Sequence, residues 1–185
     1  MPRVSKAQAA RNRELTIEAA ARLFREHGVD HVSVQDVMSA VGLTHGGFYR
    51  QFESKEALVA EALRHAYTSM AARMDETEAR AGDHHAAQLA YIRGYLSAFH
   101  RDHPGQGCPT AGLVQDVART GTADARSALA DGVTEFAQWL GGEDQDGLVT
   151  ACTLFGALLV ARATEGTPLS SQVLGHVRTA LTQDR

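Results

Sequence analysis

The sequence predicts an all-α protein, and three observations carry that prediction. Apolar residues recur at helical spacing along most of the chain, no segment sustains the two-residue alternation of a half-buried strand, and Gly, Pro and Asp divide it into helical blocks. Near the N-terminus, residues 33–58 write two short capped helices about a glycine turn and then open a third, the pattern of a helix-turn-helix.

Each element has a local cause. A first helix runs up to Gly28. Ser33 followed by Asp36 is a capping-box pattern, with Val32 and Val37 placed as a hydrophobic staple, so a second helix starts at Val34. Val34, Val37, Met38 and Val41 keep helical spacing until Gly42, which can take the left-handed conformation that ends a helix. Thr44 is the next N-cap, with Leu43 and Phe48 as a second staple, and the spacing predicts a short helix over residues 45–52. Gly46 and Gly47 each cost that helix about 1 kcal/mol relative to Ala, a cost that makes sense where the backbone must approach another surface, such as the wall of a DNA major groove. Ser54 caps the following helix and puts Lys55 in its first turn, where the macrodipole disfavours a cation unless a phosphate sits beside that terminus.

The rest of the chain reads as a helical body. Residues 55–80 form one long helix, broken by Gly82 and Asp83; residues 86–100 form the next, ending in the loop His103-Pro-Gly-Gln-Gly107. Further helices are predicted over 109–120, 123–140, 144–164 and 170–182. The division expected is a helix-turn-helix domain over 1–54 and a helical domain over 55–185.

Composition narrows the function classes. The 185 residues are 44% apolar, enough to bury a core without disulfide or metal staples. Net charge is -4, which argues against a nucleic-acid partner until its distribution is seen: Arg3, Lys6, Arg11, Arg13, Arg22 and Arg25 face only Glu14 and Glu18 in the first 25 residues. The N-terminal segment has no apolar stretch of the kind a signal peptide needs, and the longest apolar run, 148–161, is shorter than the roughly 20 residues of a membrane span. Two cysteines suggest a reducing compartment, and the chain is expected in the cytoplasm, away from membranes. His100 with His103, and His84 with His85, lack partners at zinc-site spacing, and no cofactor motif is present, so neither metal nor cofactor is expected.

From Arg11 to Leu58 the residues resemble the DNA-binding domain of the TetR (tetracycline-repressor-like) transcriptional regulators. The resemblance rests on Ala21-Arg-Leu-Phe-Arg-Glu-His-Gly28, Val32-Ser-Val-Gln-Asp-Val, Gly42-Leu-Thr-His-Gly-Gly-Phe-Tyr-Arg-Gln-Phe and Ser54-Lys-Glu-Ala-Leu58. Met38 and Gln51 depart from it, standing where a small residue and a His or Tyr are commoner. The resemblance implies a ligand-responsive DNA-binding regulator, most often a repressor, whose body dimerises and binds an effector. Thr44 and His45 are then the candidates for base edges, and Ser33, Tyr49, Gln51 and Lys55 for phosphates, with Gln35, Gly46, Gly47 and Arg50 completing the DNA-binding set. The DNA partner expected is a near-palindromic double-stranded operator whose half-sites lie about 34 to 36 Å apart.

Two features of the body bear on the effector and on dimerisation. The helix over 144–164 is apolar on nearly every face and needs partners on several sides. With the helix over 170–182 it is the expected homodimer interface, carried by Leu154, Ala157, Leu158, Val173 and Val177. Cys152 within it reads as structural. The segment Gly107-Cys108-Pro109 puts Cys108 at the N-cap of a helix, where free N–H groups stabilise a thiolate. Some similar-looking family members use such a thiol as a sensor, so the effector is either a small molecule or a reactive electrophile; the other reading of Cys108 is a packed cap residue. Tyr67, Tyr95, Phe99 and Trp139 are candidate walls of an effector cavity. A second function class, a helical thiol enzyme or redox protein using Cys108 with His100 or His103, leaves residues 33–58 unexplained.

Overall fold

The computed structural model describes residues 5–141 and 146–183; Arg3 of the basic N-terminal cluster and the expected helix start at Asp144 lie outside them. Among the described residues there are nine α-helices, two 3₁₀ helices and no strand: α1 (Lys6–His27), α2 (Val34–Ala40), the 3₁₀ helix η1 (His45–Arg50), α3 (Lys55–Ala81), α4 (His84–Tyr95), α5 (Ala98–Asp102), the 3₁₀ helix η2 (Pro104–Gln106), α6 (Pro109–Thr120), α7 (Ala123–Leu140), α8 (Gly147–Ala163) and α9 (Pro168–Thr182). None is long and apolar enough to cross a membrane.

The head is built from local signals. Ser33 closes a full capping box: its hydroxyl accepts the Asp36 N–H at 3.1 Å, while the Asp36 carboxylate accepts the Ser33 N–H at 2.8 Å and the hydroxyl at 2.6 Å. Those bonds from Ser33 hold the Asp36 carboxyl below its usual range. At the other end of α2, Leu43 N–H reaches Met38 O at 2.9 Å and Gly42 N–H reaches Ser39 O at 3.1 Å, with Gly42 at φ +69°. This is a Schellman motif, and the glycine carries its left-handed residue.

Two predicted elements change. The second helix of the motif is a 3₁₀ helix, not an α-helix: Gly47 N–H bonds to Thr44 O at 2.9 Å, and the Thr44 hydroxyl makes no cap bond. Two consecutive glycines at its start favour neither form strongly, and only one short turn is needed. The predicted helix over 86–100 breaks at Leu96 and Ser97. Ser97 accepts the His100 N–H at 3.2 Å and so caps a new short helix, α5, with Leu96 fully buried at the joint.

α1 packs along the first half of α3, and the second half of α3 packs against α4 and α7 in the body. α6 is wedged between α1 and the α7–α8 layer, and α9 covers α8 and α4. One continuous apolar core results, running from Phe24, Phe48 and Leu58 in the head to Leu113, Phe136, Leu154 and Leu158 in the body. The 27 residues of α3 span roughly 40 Å and serve both halves.

Candidate functional site

The head presents an open polar face. Phe48 is fully buried and stacks on Phe52 with centroids 5.3 Å apart, and Arg13 lies 4.8 Å over the Phe52 ring, so η1 is anchored from beneath. On the outer side Thr44, His45, Gly46, Tyr49 and Arg50 are exposed, with Gln35 exposed on α2. Tyr49 is 64% exposed and meets His45 edge-on, with centroids 5.6 Å apart. A Cβ at Gly46 would meet nothing within 4 Å, and one at Gly47 would make only ordinary contact with Met38 at 3.5 Å. The protein itself therefore does not need these glycines, and their helix cost is left to be explained by an outside surface.

Three residues expected on phosphates are engaged within the chain. Lys55 Nζ donates to Val29 O at 2.6 Å and lines a cleft of about 250 Å³ with Val59, Asp116 and Val117, between head and body. Gln51 is half-buried; its amide nitrogen donates to Gly47 O at 3.3 Å, and its amide oxygen is enclosed without a partner. The Ser33 hydroxyl is spent in the capping box. The bonds of Lys55 and Gln51 tie the ends of the motif to its scaffold, a role the sequence pattern does not distinguish from phosphate contact.

The second site surrounds Cys108, which is buried at the N-cap of α6. His100 orients the cap: its Nδ1–H donates to Tyr95 O at 2.7 Å, and its Nε2 accepts the Cys108 backbone N–H at 2.9 Å. The acceptor bond at Nε2 requires the neutral ring, and burial lowers the His100 pKa to about 4. The lone pair that a general base would use is therefore already taken. His103 stacks on Phe99 at 4.1 Å and bonds to its carbonyl, away from the thiol.

Tyr67 reaches the same turn of α6, its hydroxyl 2.7 Å from Thr110 Oγ1. A side chain at Gly132 in α7 would collide with its ring, which accounts for a glycine in mid-helix. Tyr95 is buried edge-on to His100 at 4.5 Å, and Tyr91 and Phe136 connect it to the half-buried Trp139. Trp139 Nε1 donates to Glu78 at 3.2 Å. Phe99, expected on a cavity wall, is 62% exposed on α5 and lines nothing inside the body. Sequence reasoning missed Arg25 and Arg162. Arg25 donates from Nε and Nη2 to Gly105 O, and Arg162 donates to His100 O at 2.9 Å and Arg101 O at 3.1 Å. With Arg25 and its partner 80 positions apart in sequence, no local pattern could have found it.

The α8 expectations also require correction. Leu154, Ala157 and Leu158 are buried within the single chain and belong to its core. The opposite stripe is the open one: Val149, Cys152, Gly156 and Val160 are exposed, Cys152 among them although it was expected inside. Val173 and Val177 on α9 are half-buried and pack against the core.

Residues 17–62 match the family model for bacterial regulatory proteins of the tetR family. Over 127 residues the chain is 29% identical to the HTH-type transcriptional repressor KstR2 of Rhodococcus jostii, covering 68% of this chain and 60% of that protein. Over 96 residues it is 28% identical to the repressor DhaR of a Mycobacterium species, covering 52% and 47%. The chain thus spans between about half and three fifths of these relatives. Solved structures share the fold over nearly the full length: a TetR-family regulator from Cytophaga hutchinsonii (TM-score 0.76, 23% identity, 97% of this chain and 96% of that one) and the reduced form of E. coli NemR (TM-score 0.70, 22% identity, 92% and 95%). The helix-turn-helix head is thus similar to that of the tetR family of bacterial regulatory proteins, and the helical body behind it shares the fold of solved TetR-family regulators.

Proposed function

We propose that the chain acts as a homodimeric transcriptional repressor that sets η1 in the major groove of a near-palindromic operator and releases it when the body is occupied or Cys108 is modified. The observation that carries the DNA reading is the open face of η1: exposed Thr44, His45, Tyr49 and Arg50 beside two glycines that intrachain packing does not require. Thr44 and His45 read base edges; Tyr49, Arg50 and Gln35 hold the backbone. The curated relatives named as repressors support the direction of regulation.

A connection between thiol and head supports the release step. α6 begins at Cys108, and four residues before its end Asp116 accepts the Val29 N–H at 3.3 Å, in the connection between α1 and α2. Arg25 ties α1 to Gly105 just before the thiol. Displacing the start of α6 therefore pulls on the head through α6 as well as through α3. The resulting loss of DNA affinity is bounded by the effector's preference for the released state, typically about 1 to 3 kcal/mol.

The test is a mobility-shift assay on DNA adjoining the protein's own gene. A retarded complex is expected, weakened in His45→Ala and released by N-ethylmaleimide; Cys108→Ser should bind DNA but resist release. Affinity unchanged in His45→Ala would remove the recognition role. Release that persists in Cys108→Ser would leave a non-covalent effector as the signal.

A further inference from the structure

Among the described residues three buried side-chain polar atoms have no hydrogen-bond partner, and two of them, Tyr95 Oη and Arg25 Nη1, belong to the surroundings of Cys108. Tyr95 is only 4% exposed, and its ring lies edge-on to His100, whose Nε2 accepts the Cys108 N–H. Arg25 brackets the start of α6: it holds Gly105 O through Nε and Nη2, and its stem passes so close to Gly112 that a Cβ there would stand 2.9 Å from Arg25 Cγ. Arg162 closes the third side, with Nη2 2.9 Å from where a Gly107 Cβ would stand.

The charges are unbalanced. Arg73 and Arg162 both act on Arg25, and burial together with Arg73 lowers the Arg25 pKa to about 10. Glu26 is the carboxylate acting on Arg25, but it is already paired with Arg22 at 2.9 Å. His100 is neutral, for the reasons given above. An enclosed guanidinium edge and an enclosed hydroxyl without partners are each costly, and a neutral water would satisfy the donors without offsetting the clustered positive charge. Arg25, Arg73 and Gly105 also wall a groove of about 470 Å³ that brings solvent to the outer side of this cluster.

We propose that Tyr95 Oη and Arg25 Nη1 form an anion subsite beside Cys108, so that the effector is an electrophile carrying a carboxylate. This rests on the reading of Cys108 as the sensing thiol and adds the class of compound sensed. With a conjugated carboxylic acid the thiol gives its proton to water and the sulfur bonds to the β-carbon. The π pair moves to the α-carbon, which takes a proton back from water, and no oxidant is consumed. The carboxylate is held by charge-assisted hydrogen bonds from the two free donors. Tyr95 and Arg25 are binding residues in this scheme, and the sulfur is the reacting atom.

The experiment compares two alkylating probes of similar size, anionic iodoacetate and neutral iodoacetamide, with labelling at Cys108 followed by peptide mass spectrometry. Relative to N-acetylcysteine, the iodoacetate-to-iodoacetamide rate ratio at Cys108 should be raised by about tenfold or more. Arg25→Gln and Tyr95→Phe should each bring it down severalfold. Tyr95→Phe keeps the proposal testable if Arg25→Gln folds poorly, because its hydroxyl has no partner to lose and the melting temperature should not fall. A ratio equal to that of N-acetylcysteine, or one unchanged in Tyr95→Phe, overturns the subsite and leaves the thiol sensor standing. Labelling by neither probe in the folded protein, with full labelling after denaturation, overturns both.

Discussion

His100 accepts the Cys108 N–H through a nitrogen that only its neutral ring leaves free, and its titration should be visible in the stability of the whole protein. Its pKa is lowered on folding from 6.5 to about 4, so between these values the unfolded chain binds the proton and the folded chain does not. Stability from this residue is therefore complete above about pH 6.5 and falls as the pH drops toward 4, by at most about 3 kcal/mol. Thermal melts across that window should show the loss, and His100→Gln, which can still accept the Cys108 N–H, should flatten it. Equal slopes in the two proteins would contradict the assignment. Lys55 gives a second prediction at this scale. Because its ammonium is bonded to Val29 O, Lys55→Met should cost about 1 to 2 kcal/mol of stability in denaturant melts and leave the salt dependence of DNA binding unchanged. A shallower salt slope at unchanged stability would restore the phosphate role. Ser33, Asp36 and Gly42 were legible because caps and left-handed turns are written within a few residues. Lys55 and Arg25 were not, because the carbonyls they serve come from 26 and 80 residues away.

Element by element, helix ends marked by Gly, Pro or a capping residue were readable, as at Gly82–Asp83 and Pro109, where chemistry and boundary coincide. The break at Leu96–Ser97 was not: serine is tolerated inside a helix, and it is the burial of Leu96 and the bonds of His100 that make it a cap here. α8 shows a different limit. A helix apolar all round does not reveal which stripe meets its own core, and the one assigned to a partner proved to be the inner one. The open stripe yields the prediction. Val160 is 45% exposed, so Val160→Arg should fold with an unchanged melting temperature at low concentration yet give monomers in light scattering. Leu158→Arg, which buries an unpaired charge, should not fold at all. A Val160→Arg protein that remains dimeric would move the interface elsewhere.

At the scale of the whole molecule, two features join the halves: α3, shared by the head and body cores, and α6, which runs from the thiol to the Val29 N–H. The order of helices and the head were legible from sequence, since periodicity and capping determine both. The surroundings of Cys108 were not, because α1, α4, α6 and α8 each contribute one part. The central claim is that two copies of η1 read one duplex, and the most direct measurement is selection of binding sites from a random duplex pool, followed by the mass of the complex on the enriched sequence. The account predicts a near-palindrome with half-site centres about 10 base pairs apart, bound by an even number of chains, with base preference altered in His45→Ala. A pool that enriches no sequence, or a complex holding a single chain, would contradict it.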